Sequence, residues 1–114
     1  MTPLNQYLLA ILGQTSTVTL VDQSHSREQQ TAPDGLIHTR QSHYRFHDGA
    51  VIQEEREDFY PSTDAPHSRA ASCPPCELAY QVIAHGHTMV TPAYKRFRNE
   101  CQRSFWIEAF HLPT

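Results

Sequence analysis

The dipeptide Asp48-Gly49 constrains the fold of this chain more than any other feature, because it separates two long segments of strand-like composition. Asp-Gly is favoured in two-residue hairpin turns, since both positions need positive φ angles and the turn matches the twist of the flanking strands. The flanking segments, 36–47 and 50–60, mix aromatic and aliphatic residues with polar ones. We therefore predict an antiparallel β-hairpin over residues 36–60.

A two-residue turn would also fix the register of this hairpin. It places Tyr44 opposite Gln53 and His43 opposite Glu54, so that the two faces differ. A bulge at the turn would shift the register and exchange the faces on one strand. The face expected to meet the core carries Leu36, His38, Tyr44, Phe46, Val51 and Phe59, and the polar face carries His43, Arg45, Glu54, Arg56 and Asp58.

The rest of the chain predicts an α+β fold in one domain, 1–114. We expect a three- to four-stranded antiparallel sheet centred on the 36–60 hairpin, with helices packed on one face. The polar segments 23–34 and 61–72 are expected to be mobile loops. The further predicted elements are helices over 3–13, 74–85 and 92–103 and strands over 16–22 and 104–111. For the helix over 74–85, the alternative is a strand through residues 80–84.

Composition narrows the classes of partner. The formal net charge is −3, which argues against general nucleic-acid binding and against binding to acidic membranes. The apolar run near the N-terminus is too short for a membrane span. Three cysteines, an odd number, fit a reducing compartment, so we expect a cytoplasmic protein with no membrane partner.

The motif Cys73-Pro74-Pro75-Cys76 suggests a metal site. With His85 and His87 it supplies four nitrogen and sulfur ligands, which is the set that tetrahedral zinc prefers. A helix over 74–85 would separate Cys76 from His85 by about 13 Å, so that helix and this zinc site exclude each other. A site built from the two cysteines and a distant histidine, such as His67 or His111, stays open.

The same motif also resembles the active-site stretch of thioredoxin-like oxidoreductases, in which Cys-x-x-Cys opens a helix. The resemblance implies thiol redox chemistry at Cys73 and Cys76. A helix N-terminus would support it by stabilising the thiolate. The remaining interpretation is that both residues are ordinary thiols at the start of a helix.

Two polar groups are candidate binding sites. The first group is His43, Arg45 and Glu54 on the polar face of the hairpin. A histidine beside a carboxylate, as His43 beside Glu54, suits general-base chemistry but is also an ordinary cross-strand pair. The cations Lys95, Arg96 and Arg98 surround an aromatic residue, as nucleic-acid-binding faces do, although such a cluster is more often a solvated helix face.

The function predicted from these observations is a non-catalytic interaction or regulatory protein that self-associates as a homodimer and needs no cofactor. The sequence carries none of the common local enzyme motifs. The alternative is a zinc-binding or thiol-redox protein that uses Cys73 and Cys76.

Overall fold

The computed structural model describes residues 1–61 and 75–109, and these form an α+β fold. Two helices and seven strands alternate irregularly along the chain. In chain order they are β1 (Thr2–Pro3), α1 (Leu4–Ile11), β2 (Leu20–Ala32), β3 (Gly35–Phe46), β4 (Val51–Pro61), β5 (Glu77–Ala84), β6 (Val90–Thr91), β7 (Tyr94–Phe97) and α2 (Glu100–Ala109).

Five of the strands form one antiparallel sheet in the order β2-β3-β4-β5-β7. The two-residue strands β1 and β6 form a separate parallel pair. The predicted α+β class and antiparallel sheet are confirmed, and the sheet has five strands rather than three or four. Because β2 and β7 are its edges, each of them has one side without a strand partner among the described residues.

One face of the sheet, here called the inner face, packs against both helices. The ring of Tyr7 from α1 meets that of Phe46 on β3 edge-on, with centroids 4.9 Å apart. Burial of such apolar and aromatic surface is the main force that holds the helices on the sheet. The largest fully buried apolar side chains are Leu4, Tyr7, Leu8, Phe46, Ile52, Leu78, Tyr80, Val90 and Phe97.

The hairpin over residues 36–60 is confirmed, but its turn is longer than predicted. Residues 47–50 lie between the strands, so the loop has four residues. The N–H of Phe46 donates to the carbonyl of Ala50 at 2.9 Å, and the N–H of Gly49 donates to the carbonyl of Phe46 at 3.0 Å. Gly49 has φ +96°, which explains why glycine stands there.

This longer loop shifts the register by one residue, so the predicted pairs are wrong. On β4 the faces are exchanged: Glu54 points to the inner face, whereas Val51 and Phe59 lie on the opposite, outer face. Phe59 is 44% exposed. The observed pairs are Arg45 with Val51, Tyr44 with Ile52, His43 with Gln53 and Ser42 with Glu54.

Several predicted elements are also wrong. The segment predicted as a helix over 74–85 forms β5, the alternative that the sequence left open. Most of the predicted loop 23–34 belongs to β2. The first helix is confirmed as α1. The predicted helix 92–103 is divided between β7 and the start of α2, the described part of the predicted strand 104–111 is helical, and the predicted loop 61–72 lies, except for Pro61, outside the described residues.

Candidate functional site

The polar set predicted on the hairpin is divided between the two faces of the sheet. His43 lies on the outer face, where its Nε2 is 3.2 Å from Oε1 of Gln53. Arg45 is also on the outer face and pairs with Asp22 at 3.0 Å. Glu54 lies on the inner face and is buried. The structure therefore does not bring the three side chains together.

The three predicted cations are likewise separated. Lys95 and Arg96 are neighbours on a strand, so they point to opposite faces. Lys95 lies on the inner side, with its ammonium 5.6 Å from the ring centroid of Trp106. Arg96 pairs with Glu77 at 2.6 Å, and Arg98 is exposed just after β7. A binding role for each cation stays a prediction.

The predicted metal ligands fall at both ends of β5. Cys76, a free and buried thiol, precedes this strand, and His85 and His87 follow it. An eight-residue strand spans roughly 26 Å, too far for one metal ion to bridge. His85 instead accepts a hydrogen bond at Nδ1 from the N–H of Val90 at 2.9 Å.

A site that uses Cys73 stays a prediction, because Cys73 lies outside the described residues. Within residues 1–61 and 75–109, no group of three or more His, Cys, Asp or Glu side chains could hold a metal ion. Burial raises the pKa of the Cys76 thiol, and a raised pKa lowers thiolate content and reactivity at neutral pH.

The most unusual chemical feature of the described chain is the buried carboxylate of Glu54. It is 2% exposed. The hydroxyl of Tyr80 donates to its Oε2 at 2.5 Å, and Nη2 of Arg40 donates to its Oε1 at 3.2 Å. A buried charge is costly unless it is paired and hydrogen-bonded, and these partners meet that need.

Helix α2 completes this cluster by supplying Arg103. Its Nη1 donates to the hydroxyl of Tyr80 at 2.8 Å and lies 3.9 Å from Oε2 of Glu54. Burial, together with the nearby charge of Glu54, raises the pKa of Tyr80, so its hydroxyl stays a proton donor. The Glu54 cluster (Arg40, Glu54, Tyr80 and Arg103) thus compensates the charge of Glu54 and fastens α2 to the sheet.

Sequence reasoning selected Glu54 but missed its partners. Tyr80 was predicted on a helix and Arg103 at the end of another, so neither was expected opposite the hairpin. The sequence does contain a signal for this strand. Leu78, Tyr80 and Val82 alternate with the period of a strand that buries one face.

The edge strand β2 is the largest unpaired feature of the described chain. It has thirteen residues, of which only the terminal Leu20 and Ala32 are partly buried; all the others are exposed. One side of its backbone bonds to β3, and the other side is the edge of the sheet. An exposed edge of this length is a template for pairing with another strand.

Comparisons with known proteins supply no relative. No family model matches the chain, no curated protein matches it, and no solved structure matches it.

Among residues 1–61 and 75–109, no helix has both the length and the apolar character needed to cross a membrane. The cytoplasmic location stays a prediction from the sequence.

Proposed function

We propose that this chain is a non-catalytic interaction protein that self-associates by pairing strand β2 with β2 of a second copy. The observation that carries the proposal is the exposure of this thirteen-residue strand at the sheet edge. The opposite edge, β7, has only four residues. Since the number of main-chain hydrogen bonds grows with strand length, β2 is the better interface.

The sequence of β2 favours a second copy as its partner. Ser26 is the central residue of Leu20–Ala32, so antiparallel pairing about Ser26 overlaps both strands over their full length. In a two-fold symmetric pair, residue i then faces residue 52 minus i. Glu28 meets Ser24 and Asp22 meets Gln30, and no residue meets one of the same formal charge at pH 7 with histidine neutral.

The neighbouring symmetric registers are less favourable. Pairing centred on His25 places Asp22 opposite Glu28, and pairing centred on Arg27 places two copies of Arg27 opposite each other. Like charges directly opposite each other destabilise a strand pair. Of these three registers, the one with full overlap is the one that places no like charges directly opposite each other.

The test is the molecular mass in solution of the full chain, measured by light scattering after size-exclusion chromatography over a wide concentration range. Ser26→Lys would place two lysines opposite each other at the centre of the interface. We expect it to weaken dimerisation by about tenfold or more, which corresponds to ~1.4 kcal/mol. Wild-type protein should be dimeric at high concentration.

Gln41→Lys is the matched control. Gln41 is the cross-strand neighbour of Ser26 on β3, so it adds the same charge on the same face without placing it at the edge. It should dimerise like the wild type. A wild-type chain that is monomeric at every concentration, or a Ser26→Lys variant with unchanged dimerisation, would contradict the proposal.

A further inference from the structure

A cleft of about 620 Å³ lies where both helices meet the short end of the sheet. Its volume falls within the range of about 300–1,000 Å³ that is typical of small-molecule sites. It combines one aromatic wall with a small number of polar groups, as such sites do. Its lining residues are Asn5, Thr91, Pro92, Tyr94, Lys95 and Trp106.

The first polar group of this cleft is Asn5, which has an unpaired acceptor. The side chain is 1% exposed. Its Nδ2 donates to the carbonyl of Ile107 at 3.4 Å, but its Oδ1 is buried and has no hydrogen-bond partner among residues 1–61 and 75–109. Burying a polar atom without a hydrogen-bond partner is unfavourable, so a ligand that donates a hydrogen bond to this oxygen would remove that penalty.

The second polar group is the ammonium of Lys95. It lies 5.6 Å from the ring centroids of both Phe97 and Trp106. In the part of the chain that the structure describes, it forms no ion pair with a carboxylate. Tyr94, which is 54% exposed, also lines the cleft. A cation beside aromatic rings suits a ligand that has both a flat ring and a negative charge.

We infer that this cleft binds a small aromatic carboxylate that carries a hydroxyl group. The ligand's ring packs on Trp106, its carboxylate pairs with Lys95, and its hydroxyl donates to Oδ1 of Asn5. The inference is independent of self-association, because the cleft lies at the end of the sheet opposite to strand β2.

Trp106 makes the inference directly measurable, because it is the one tryptophan of the chain. Its single indole N–H signal in a proton–nitrogen correlation spectrum reports on the cleft. The probe is 4-hydroxybenzoate. Benzoate lacks the hydroxyl donor, and 4-hydroxybenzyl alcohol lacks the carboxylate. We expect a saturable shift, with 4-hydroxybenzoate binding about tenfold more tightly than either comparison compound.

Two variants separate the contribution of the Lys95 ammonium to binding from that of the Asn5 side-chain oxygen. Lys95→Gln should lower the affinity for 4-hydroxybenzoate about tenfold and leave 4-hydroxybenzyl alcohol unchanged. Asn5→Leu, of similar volume, should abolish the preference for 4-hydroxybenzoate over benzoate. Arg96→Gln is the control, since Arg96 is the strand neighbour that points to the other face, and it should bind all three compounds like the wild type.

Any of three results would overturn the inference: an indole signal that does not shift, equal affinities for the three compounds, or wild-type affinity in Lys95→Gln. If Asn5→Leu does not fold, the three-compound comparison on wild type and on Lys95→Gln still decides.

Discussion

The hydroxyl of Tyr80 donates a 2.5 Å hydrogen bond to the carboxylate of Glu54, and these two buried residues are direct cross-strand partners on β4 and β5. The same hydroxyl accepts a hydrogen bond from Arg103 of α2. One oxygen atom therefore connects two strands and a helix. The stability of the fold should depend on it more than on any exposed tyrosine.

Tyr80→Phe removes this oxygen and keeps the ring. The buried carboxylate loses one donor and Arg103 loses its acceptor, so we expect the free energy of unfolding to fall by about 1–3 kcal/mol. Urea unfolding measures it. Tyr60→Phe is the control, because Tyr60 is 52% exposed, and it should change stability by less than about 0.5 kcal/mol. Equal effects of the two substitutions would show that the Tyr80 hydroxyl has no structural role.

The charges of Glu54 and Arg103 should be energetically coupled. Removing the charge of Glu54 leaves Arg103 uncompensated in a buried site, and removing that of Arg103 leaves Glu54 with Arg40 as its cationic partner among the described residues. Breaking a buried pair costs up to about 3–5 kcal/mol. The double variant Glu54→Gln/Arg103→Met leaves neither charge of this pair. Its loss of unfolding free energy should fall short of the sum of the single losses by about 0.5–3 kcal/mol. Additive losses in a double-mutant cycle would refute the coupling.

Arg56 forms a second connection between the sheet and α2. It bonds to Asp58 at 2.8 Å on its own strand and to Glu100 at 2.5 Å in the first turn of α2. Glu100→Gln should lower the free energy of unfolding by about 0.5–1 kcal/mol, because the pair is partly exposed and the carboxylate also suits the helix N-terminus. The loss should shrink at high salt concentration. Glu108→Gln, an exposed position on the same helix, should show no such salt-dependent loss.

The pair of Tyr7 and Asp48 should make stability depend on alkaline pH. The Tyr7 hydroxyl donates to Oδ2 of Asp48 at 2.6 Å. Burial, and then this hydrogen bond, raise the pKa of Tyr7 from 10.0 to about 12. A raised folded-state pKa gives stability that is complete below pH 10 and is lost as the pH rises towards 12. Tyr7→Phe should reduce this alkaline loss in urea unfolding, and Tyr60→Phe should leave it unchanged; an identical loss in both variants would contradict the assignment.

Asp48 should make the stability of the fold depend on acidic pH. Burial pulls the pKa of Asp48 upwards, but hydrogen bonds from Tyr7 and from the N–H of Ala50 outweigh it and hold the pKa below its usual value. Its stabilising contribution is therefore present above the unfolded-state pKa of about 4 and is lost as the pH falls further. Asp48→Asn should flatten the acid limb of stability against pH. An unchanged acid limb would contradict this role.

The hairpin could be predicted from sequence, whereas its register could not. Asp48-Gly49 marked the turn correctly because glycine is needed at a positive φ. The loop has four residues, and the Asp48 carboxylate accepts hydrogen bonds from the Tyr7 hydroxyl and from the N–H of Ala50. That contact spans 41 residues of sequence, so no local pattern reports it. The position of Glu54 on the inner face follows from the one-residue shift of register.

Strand β5 was predicted as a helix because its apolar residues fit both periods. Leu78, Ala79, Val82 and Ile83 lie at helical spacing, but the structure buries Leu78 and Tyr80 and leaves Ile83 51% exposed. Pairing with β4 decides between the two periods, and such pairing is not visible in a short segment. The candidate site was missed for the same reason, since both Tyr80 and Arg103 reach Glu54 only through this arrangement.

The sequence of strand β2 lacks the alternation of apolar and polar residues that indicates a half-buried strand. Its middle is polar and exposed on both faces, so its composition resembles that of a loop. It is a strand because β3 pairs with it from Leu20 to Ala32. Tertiary pairing here overrides local preference.

The exposure of β2 has a consequence for local opening. Few apolar contacts hold its hydrogen bonds to β3 in place, so its amides should exchange with deuterated solvent long before those of β4 and β5, which lie at the centre of the sheet. If a second copy covers this edge, the exchange rate of β2 becomes a function of protein concentration, while that of the central strands does not. Amide exchange at the sheet edge would then report the concentration of this chain in solution.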